Sequence, residues 1–217
     1  MNAFLSDARQ FLPLLLQGAV FTVLLTIGSL ALSTVLGLFW AILRVSRVPW
    51  LTHISKGAVN TIRGIPILVQ LFYIYFVLPD LGIELTAFQA GVIGLGVAYS
   101  AYQAENFRAG IEAVDPGQIE AAQSLGMPWG LILRRVVLPQ AFRIALPPYG
   151  NTMIMMLKDS SQASVITVAE LTQQGRLIAS STFKNTEVFT LVALLYLSMS
   201  LPLILLAGRL ERKFGRK

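Results

Sequence analysis

Charged residues, histidine and cysteine are all scarce in this sequence of 217 residues. Only 13% of the residues are Asp, Glu, Lys or Arg, whereas a soluble domain uses about a quarter. So little charge cannot cover a water-facing surface, which excludes a cytosolic enzyme, a disordered tail and a disulfide-stabilised secreted module. The absence of cysteine removes thiol chemistry, and the single histidine, His53, excludes a histidine-rich metal site.

Apolar residues account for 55% of the chain, and the mean hydropathy is +0.67. Long uncharged runs separate the charged residues, which predicts an all-α integral membrane protein with five transmembrane helices. The first run would form a helix of about 51 Å, longer than the roughly 30 Å hydrocarbon core, so it must tilt or project. The predicted spans are residues 10–43, residues 64–79 with an extension back towards Lys56, residues 85–104, a helix that begins near Ile144, and residues 188–208.

The positions of the basic residues predict how the chain crosses the membrane. Thirteen of the 17 Lys and Arg residues lie in three segments: between the first and second spans, between the third and fourth, and in the C-terminal tail. The short segment 79–85 contains Asp80 and Glu84 and no basic residue. The positive-inside rule therefore predicts an external N-terminus and a cytoplasmic C-terminus. Because the charges are scattered and not gathered on one face, nucleic acid is not an expected partner.

The segment 112–140, between the third and fourth predicted spans, carries the signals of a short helix. Asp115 can cap a helix that has Pro116 at its first position, and Gln118 stands where a capping box has its reciprocal partner. Gly126 then supplies a left-handed stop. Small residues along this helix let another backbone approach closely, which favours a docking element. An amphipathic helix resting on lipid headgroups is the alternative, although the helix lacks Lys and Arg.

Three motifs resemble the permease subunits of ABC importers. Glu120-Ala121-Ala122 with Gly126 and, further on, Leu138-Pro139 is similar to the EAA signature, although Val136 replaces its usual isoleucine. The segments 61–66 and 157–161 resemble the polar amino-acid uptake branch of that family, which handles histidine, glutamine, glutamate, arginine, cystine and opines. The resemblance extends from the first predicted span through the fifth.

This resemblance implies a type I importer in the bacterial cytoplasmic (inner) membrane. Residues 1–217 would form one permease domain, surrounded by lipid and paired with a second permease that is identical or paralogous. Two ATP-binding subunits would bind ATP and Mg, and an extracytoplasmic solute-binding protein would deliver a polar amino acid. This chain has no GxxxxGK[ST] phosphate loop, so no catalytic residue, metal or cofactor is predicted within it. The predicted ATPase-coupling residues are Gln118, Glu120, Ala121, Ala122, Ser124, Leu125 and Gly126.

Ionisable and polar residues inside the predicted spans suggest a substrate pathway. Counted from Pro148, Lys158 lies about 15 Å into the fourth helix and Asp159 follows it. A lysine and an aspartate can complement the two charges of an amino acid, but they can equally form an internal ion pair. Gln70, Tyr73 and Tyr99 can also serve as interhelical hydrogen-bonding groups. The candidate pathway residues are Gln70, Tyr73, Tyr99, Lys158, Asp159, Ser160, Ser161, Gln162 and Ser164.

Two other classes of membrane protein compete with this interpretation. An ion-coupled secondary carrier working alone would show an internal inverted repeat, and five spans do not divide into two such halves. A membrane scaffold or sensor would explain the hydrophobicity, but it would not explain a capped docking helix together with a polar interruption in the fourth span. The sequence therefore favours the ATP-driven importer.

Overall fold

The computed structural model describes residues 2–46 and 48–214, and this part of the chain is helical and contains no strand. Two helices continue through irregular helical turns. Helix α3 continues through a π-helical turn and a 3₁₀ turn to Leu81, and α6 continues through a π-helical turn into α7. A 3₁₀ helix, Ser160–Ile166, follows α7. The α-helices are α1 (Asn2–Val45), α2 (Pro49–Gly64), α3 (Ile67–Phe72), α4 (Ala87–Glu112), α5 (Pro116–Ser124), α6 (Trp129–Ile132), α7 (Leu138–Asp159), α8 (Leu171–Thr182) and α9 (Asn185–Phe214).

Two helices in the described residues, α1 and α9, are long and apolar enough to cross a membrane. A third crossing is available if α2 and the helical segment Ile67–Leu81 count as one span, since this pair is bent by 96°. The structure therefore supports two or three apolar spans where the charge spacing predicts five. Helices α4 and α7 are also long, but α4 is rich in small residues and α7 contains Arg143 and Lys158, so their composition is less apolar.

The predicted second span is not a continuous helix. Residue Ile65 is extended, with φ −102° and ψ 128°, between the end of α2 and Pro66. Proline lacks an amide hydrogen and disfavours a helical conformation in the preceding residue, which explains the break. The amide of Gln70 bridges it, because Nε2 donates hydrogen bonds to the carbonyl oxygens of Ile62 and Ile65, each at 2.9 Å.

Close contacts at two glycines show the relative direction of α1 and α4. Gly28 lies against Val92, and a Cβ atom at Gly37 would come within 2.6 Å of the Cβ of Gln103. Only glycine permits that second approach without movement of the neighbouring helix. Because both contacts advance along the chain together, α1 and α4 run parallel. The ion pair between Arg44 and Glu105, at 3.7 Å, continues the same register.

Helix α7 runs antiparallel to α4. Gly110 near the end of α4 packs on Ala145 near the start of α7, and Tyr99 further back in α4 meets Asp159 at the end of α7. The structure begins this helix at Leu138, whereas the sequence predicts a start near Ile144. Prolines 147 and 148 therefore lie inside α7, without amide donors, between the close contacts that Ala145 makes with Gly110 of α4 and Gly150 makes with Ala207 of α9.

The bundle has two distinct ends. We call one the α5 end; it gathers the C-terminal parts of α1 and α4 with α5 and the start of α7. The other is the α8 end, where Gly18 packs on Leu171, and Lys184 pairs with Asp7 at 2.5 Å. The hydrophobic cluster at the α8 end joins α1, α8 and α9, and its buried members are Phe11, Leu15, Leu171, Ile178, Ala179, Val188, Leu191 and Val192.

Candidate functional site

Helix α5 forms as its end signals predict. Asp115 is the N-cap, and its Oδ1 accepts a hydrogen bond from the amide of Gly117 at 2.8 Å. Pro116 occupies the first helical position. Beyond the C-terminus Gly126 adopts φ +74°, the left-handed conformation expected of a glycine stop. The sequence thus predicted both ends of this helix.

The predicted capping box is wrong at Gln118. The short Asp115 side chain bonds to the second amide of the helix, and Gln118 makes no reciprocal bond among the contacts of the described residues. Its Oε1 instead accepts a hydrogen bond of 2.6 Å from Nε2 of Gln140, which also donates to the carbonyl oxygen of Val136. Gln118 therefore fastens α5 to the start of α7.

Only one of the two alanines of the EAA motif is exposed. Ala122 is buried against the chain itself, in a cluster with Ile132 and Val137, whereas Ala121 is exposed. Sequence reasoning placed Ala122 among exposed small residues, and this is corrected: its small side chain lets α5 pack on the chain that leads to α7. The exposed surface of α5 includes Glu120, Ala121, Ser124, Leu125 and Gly126 among the predicted coupling residues, with Leu125 81% exposed.

A charged cluster lies at the end of α4, shortly before α5. Arg108 donates hydrogen bonds from Nε and Nη2 to Glu105, at 2.9 and 2.7 Å, and its Nη1 pairs with Glu112. The hydrogen bonds to Glu105 raise the pKa of the Arg108 guanidinium above its ordinary value. Glu105 also pairs with Arg44 of α1 at 3.7 Å, so the cluster joins α4 to α1.

The end of α7 forms the second candidate site. Tyr99, which is 1% exposed, donates a hydrogen bond of 2.6 Å from its hydroxyl to Oδ2 of Asp159. Lys158 is exposed, and no carboxylate of the described residues pairs with it. The alternative of an internal Lys158–Asp159 ion pair is therefore wrong. The structure joins Asp159 to α4 instead.

Two of the polar side chains that follow Asp159 form hydrogen bonds to the backbone of the preceding helical turn. The hydroxyls of Ser160 and Ser161 donate to the carbonyl oxygens three residues before them, at 2.7 and 2.8 Å. Ser164 is buried and Gln162 is half-buried. These bonds follow from the tight 3₁₀ geometry at the end of α7, where the last carbonyls of the helix need donors.

Gln70 and Tyr73, two of the candidate pathway residues, line one cavity. This cavity of about 270 Å³ lies beside the break after α2 and is also lined by Ile65 and Ile74. The Nε2 of Gln70 is engaged at the break, and Tyr73 is 56% exposed. The structure thus brings Gln70 and Tyr73 together in one place and Tyr99 and Asp159 together in another.

Sequence reasoning missed a buried carboxylate, Glu170, at the start of α8. It accepts hydrogen bonds from the amides of Thr172 and Gln173, at 2.8 and 2.7 Å, and from the hydroxyl of Tyr196 at 2.8 Å. The available signal was an acidic residue directly before the amphipathic stretch 171–182, because the dipole of a helix favours negative charge at its N-terminus. Glu170 fixes α8 to α9 and so holds the α8 end together.

Before any relative is considered, the structure defines a class: a helical protein with two or three helices able to cross a membrane, a capped helix at one end, and no phosphate loop in its sequence. The profile of the family described as "Binding-protein-dependent transport system inner membrane component" matches residues 33–216. The chain belongs to this family, whose members are permease subunits of ABC transporters and leave ATP hydrolysis to a separate subunit.

Similar proteins and a solved structure support this family membership. The chain is 38% identical to the probable amino-acid ABC transporter permease protein YckA of Bacillus subtilis, over 96% of this chain and 92% of the relative. It is also 38% identical to the glutamine transport system permease protein GlnP of Escherichia coli, over 93% of each chain. A solved structure described as "Crystal structure of an amino acid ABC transporter with histidines" matches with a TM-score of 0.90 and 41% identity, over 97% of this chain and 98% of that one.

Proposed function

We propose that the chain is the transmembrane subunit of an ATP-driven importer of polar amino acids in the bacterial inner membrane. The exposed face of α5 carries this proposal, because it is capped, rigidly attached and available to another protein. The names of the relatives support an amino acid as the transported solute. The chain supplies half of the translocation pathway and no part of the ATP site.

The proposed topology has five crossings in a single permease domain, residues 1–217, with the N-terminus outside and the C-terminus in the cytoplasm. Helices α1, α4 and α9 run from the α8 end to the α5 end, and α7 runs back. The bent pair of α2 and α3 supplies the other return crossing. Since the three basic segments belong to the α5 end, the positive-inside rule places that end in the cytoplasm.

The proposed complex contains a second permease, identical or paralogous, two ATP-binding subunits and an extracytoplasmic solute-binding protein. The ATP-binding subunits hold ATP and Mg and contact α5 within the coupling segment 112–140. The exposed coupling residues are Glu120, Ala121, Ser124, Leu125 and Gly126, while Gln118 and Ala122 act by attaching α5 to the bundle.

The contacts of α5 supply a mechanical route through the bundle. Gln118 and Ala122 attach it to the start of α7, and the short link after the Arg108 cluster attaches it to α4. Movement of α5 therefore displaces α4 and α7 together. These two helices meet again at the bond between Tyr99 and Asp159, about 30 Å along α7 from its start. A rigid-body shift at α5 is thus transmitted to the second candidate site.

The bond between Tyr99 and Asp159 is the proposed centre of the substrate pathway. A carboxylate in this position can accept hydrogen bonds from the ammonium group of an amino acid, and the Tyr99 hydroxyl keeps the carboxylate in place. Lys158, exposed beside it, offers a charge of the opposite sign to the substrate carboxylate. The other proposed pathway residues are Gln70, Tyr73, Ser160, Ser161, Gln162 and Ser164.

Reconstitution with the ATPase and the binding protein tests this function. We expect at least one polar amino acid to stimulate ATP hydrolysis by several fold, and to accumulate inside proteoliposomes only when ATP is supplied. The matched control omits the binding protein and should remove the stimulation. Accumulation driven by an ion gradient, with the purified chain alone and no ATP, would contradict the proposal and favour a secondary carrier.

A further inference from the structure

An apolar cavity lies between α1, α4 and α7 at the α5 end of the bundle. Its volume is about 340 Å³, and α7 supplies its longest wall from residues that recur at helical spacing. Three of its lining side chains, Leu38 on α1 and Leu138 and Phe142 on α7, are exposed. The cavity therefore opens on the outer surface of the chain, and none of the candidate pathway residues lines it.

The polar groups that line the cavity are already paired with each other. The hydroxyls of Thr34 and Tyr149 lie 2.9 Å apart, and the Thr34 hydroxyl also donates to the carbonyl oxygen of Leu30 at 2.6 Å. The ring of Phe107 stacks on that of Tyr149, with 6.1 Å between the ring centroids. The remaining lining side chains are apolar. A ligand that enters this cavity must therefore be apolar as well.

The cavity is long and narrow. Its α7 wall extends from Leu138 to Tyr149, which corresponds to about 16 Å of helix. This length is close to the depth of one leaflet, because the hydrocarbon core of a bilayer is roughly 30 Å thick. The volume spread over this length leaves a mean cross-section of roughly 20 Å², whereas a helix with its side chains is about 10 Å wide. A single hydrocarbon chain fits this space, and a helix of another subunit does not.

The chain beside the cavity carries positive charge without acidic residues to balance it. Residues 121–157 contain three arginines, Arg134, Arg135 and Arg143, and no aspartate or glutamate. All three arginines are exposed, and none has a carboxylate within 4.0 Å in the part of the chain that the structure describes. Glu112, at the end of the α4 wall, is paired with an arginine of its own helix. The surface is therefore complementary to an anion.

The arginines flank the end of the cavity that the proposed topology places at the cytoplasmic surface. Arg134 lies about one helical turn before Leu138, and Arg143 directly follows Phe142. Arg143 is about 8 Å further along α7 than Leu138, so its long side chain can extend back to the headgroup region. Basic sites between membrane helices on the cytoplasmic side are typical of sites for anionic lipid headgroups.

We propose that this cavity binds one acyl chain of an anionic phospholipid from the cytoplasmic leaflet, and that Arg134 and Arg143 bind the phosphate group of the same lipid. The inference rests on the proposed topology, in which the α5 end faces the cytoplasm. Because hydrocarbon surrounds the bundle, an apolar cavity alone gives little preference for one lipid over another. The arginines supply the selectivity for a negative headgroup, and the cavity fixes the position of the lipid between α1 and α7.

The lipids that remain bound to the purified complex test this site. The permease and its partner subunits are reconstituted with equal amounts of phosphatidylcholine and phosphatidylglycerol and then released in mild detergent. Native mass spectrometry identifies the lipids that are retained. We expect the wild type to retain phosphatidylglycerol over phosphatidylcholine by at least about ten-fold. Arg134→Gln and Arg143→Gln should each lower this preference by about five-fold, since each removes one contact to the phosphate.

Two further variants separate charge at the site from charge elsewhere and from shape. Lys56→Gln is the matched control, because Lys56 is an exposed basic residue on α2 that does not line the cavity, and it should leave the lipid preference unchanged. Leu146→Trp enlarges a half-buried side chain in the cavity wall and keeps every arginine. We expect it to lower the amount of retained phosphatidylglycerol at least five-fold, with normal recovery of the partner subunits.

Equal retention of the two lipids by the wild type would overturn the site, and so would an unchanged preference in both arginine variants. Loss of the second permease or of the ATPase from these variants, with phosphatidylglycerol still bound, would also overturn it, because the arginines would then belong to a protein interface. The proposed function fails on a different result, which is a wild-type complex whose ATP hydrolysis no amino acid stimulates. Lipid retention is measured without transport, so the two failures are distinguishable.

Discussion

Replacement of Gly126 by aspartate is expected to reduce ATP-driven uptake more than ten-fold and to leave the folded chain in the membrane. No atom lies within 4 Å of where the new Cβ would stand, so the chain itself accommodates the side chain. The left-handed backbone, φ +74°, costs about 1–2 kcal/mol for most side chains, and aspartate tolerates this region better than most. The large loss arises outside the chain, where a charged side chain obstructs the ATPase beside Leu125.

The measurement compares uptake with the amount of ATPase that co-purifies with the chain. Gly82→Asp is a suitable control, because Gly82 also has a positive φ, +81°, and open space at its Cβ position, but it lies in the turn before α4, away from α5. We expect the control to keep at least half of the wild-type uptake. Normal uptake and normal ATPase recovery in Gly126→Asp would refute the assignment of α5 as the coupling helix.

Replacement of Asp159 by asparagine is expected to weaken substrate use ten- to a hundred-fold. The amide retains the shape of the side chain and can still accept the hydrogen bond from Tyr99, so the helices should stay in contact. What disappears is a charge-assisted hydrogen bond to the substrate ammonium group, which contributes about 1.5–3 kcal/mol. The amino-acid concentration for half-maximal uptake should rise accordingly.

Two further variants separate the role of the charge from the role of the helix contact. Tyr99→Phe removes the buried donor but keeps the carboxylate, and a rise of several fold is expected. Asp80→Asn, at the exposed turn before α4, is the control for a change of net charge and should have no effect. Unchanged kinetics in Asp159→Asn would show that the carboxylate only holds α4 and α7 together.

The ends of α5 were predictable because their signals are local. Asp115, Pro116 and Gly126 act through bonds and dihedral angles within a few residues, so the sequence alone specifies them. The direction that each alanine faces is not local. Ala122 is buried because α6 and the π-helical turn after it fold back under α5, and no pattern within residues 116–124 reveals that contact.

The candidate substrate site shows the same limit. Lys158 and Asp159 are adjacent in sequence, so an ion pair between them was a reasonable alternative. The structure selects a partner 60 residues away, the Tyr99 hydroxyl. Glu170 escaped prediction for a related reason: one of its bonds is to Tyr196, 26 residues further along the chain. Long-range hydrogen bonds of this kind depend on how the helices pack.

The spacing of charges predicted the long apolar helices, but it did not predict where the second span is broken. Composition identifies α1 and α9 well because both are strongly apolar. Mean hydropathy does not identify α4 as a span, because many of its residues pack against other helices and can be small or polar. The 96° bend before Pro66 depends on one proline together with the Gln70 bonds, which a count of apolar residues does not detect.

Cross-linking from single cysteines tests most directly whether α5 contacts the ATPase. The chain contains no cysteine, so Ala121→Cys and Leu125→Cys each give one unique thiol on the exposed face of α5. With a photoactivatable thiol reagent, we predict capture of the ATPase from both positions, and no capture from Ser180→Cys at the α8 end. Capture of the ATPase from Ser180→Cys, with only lipid or the chain itself cross-linked from α5, would contradict the account.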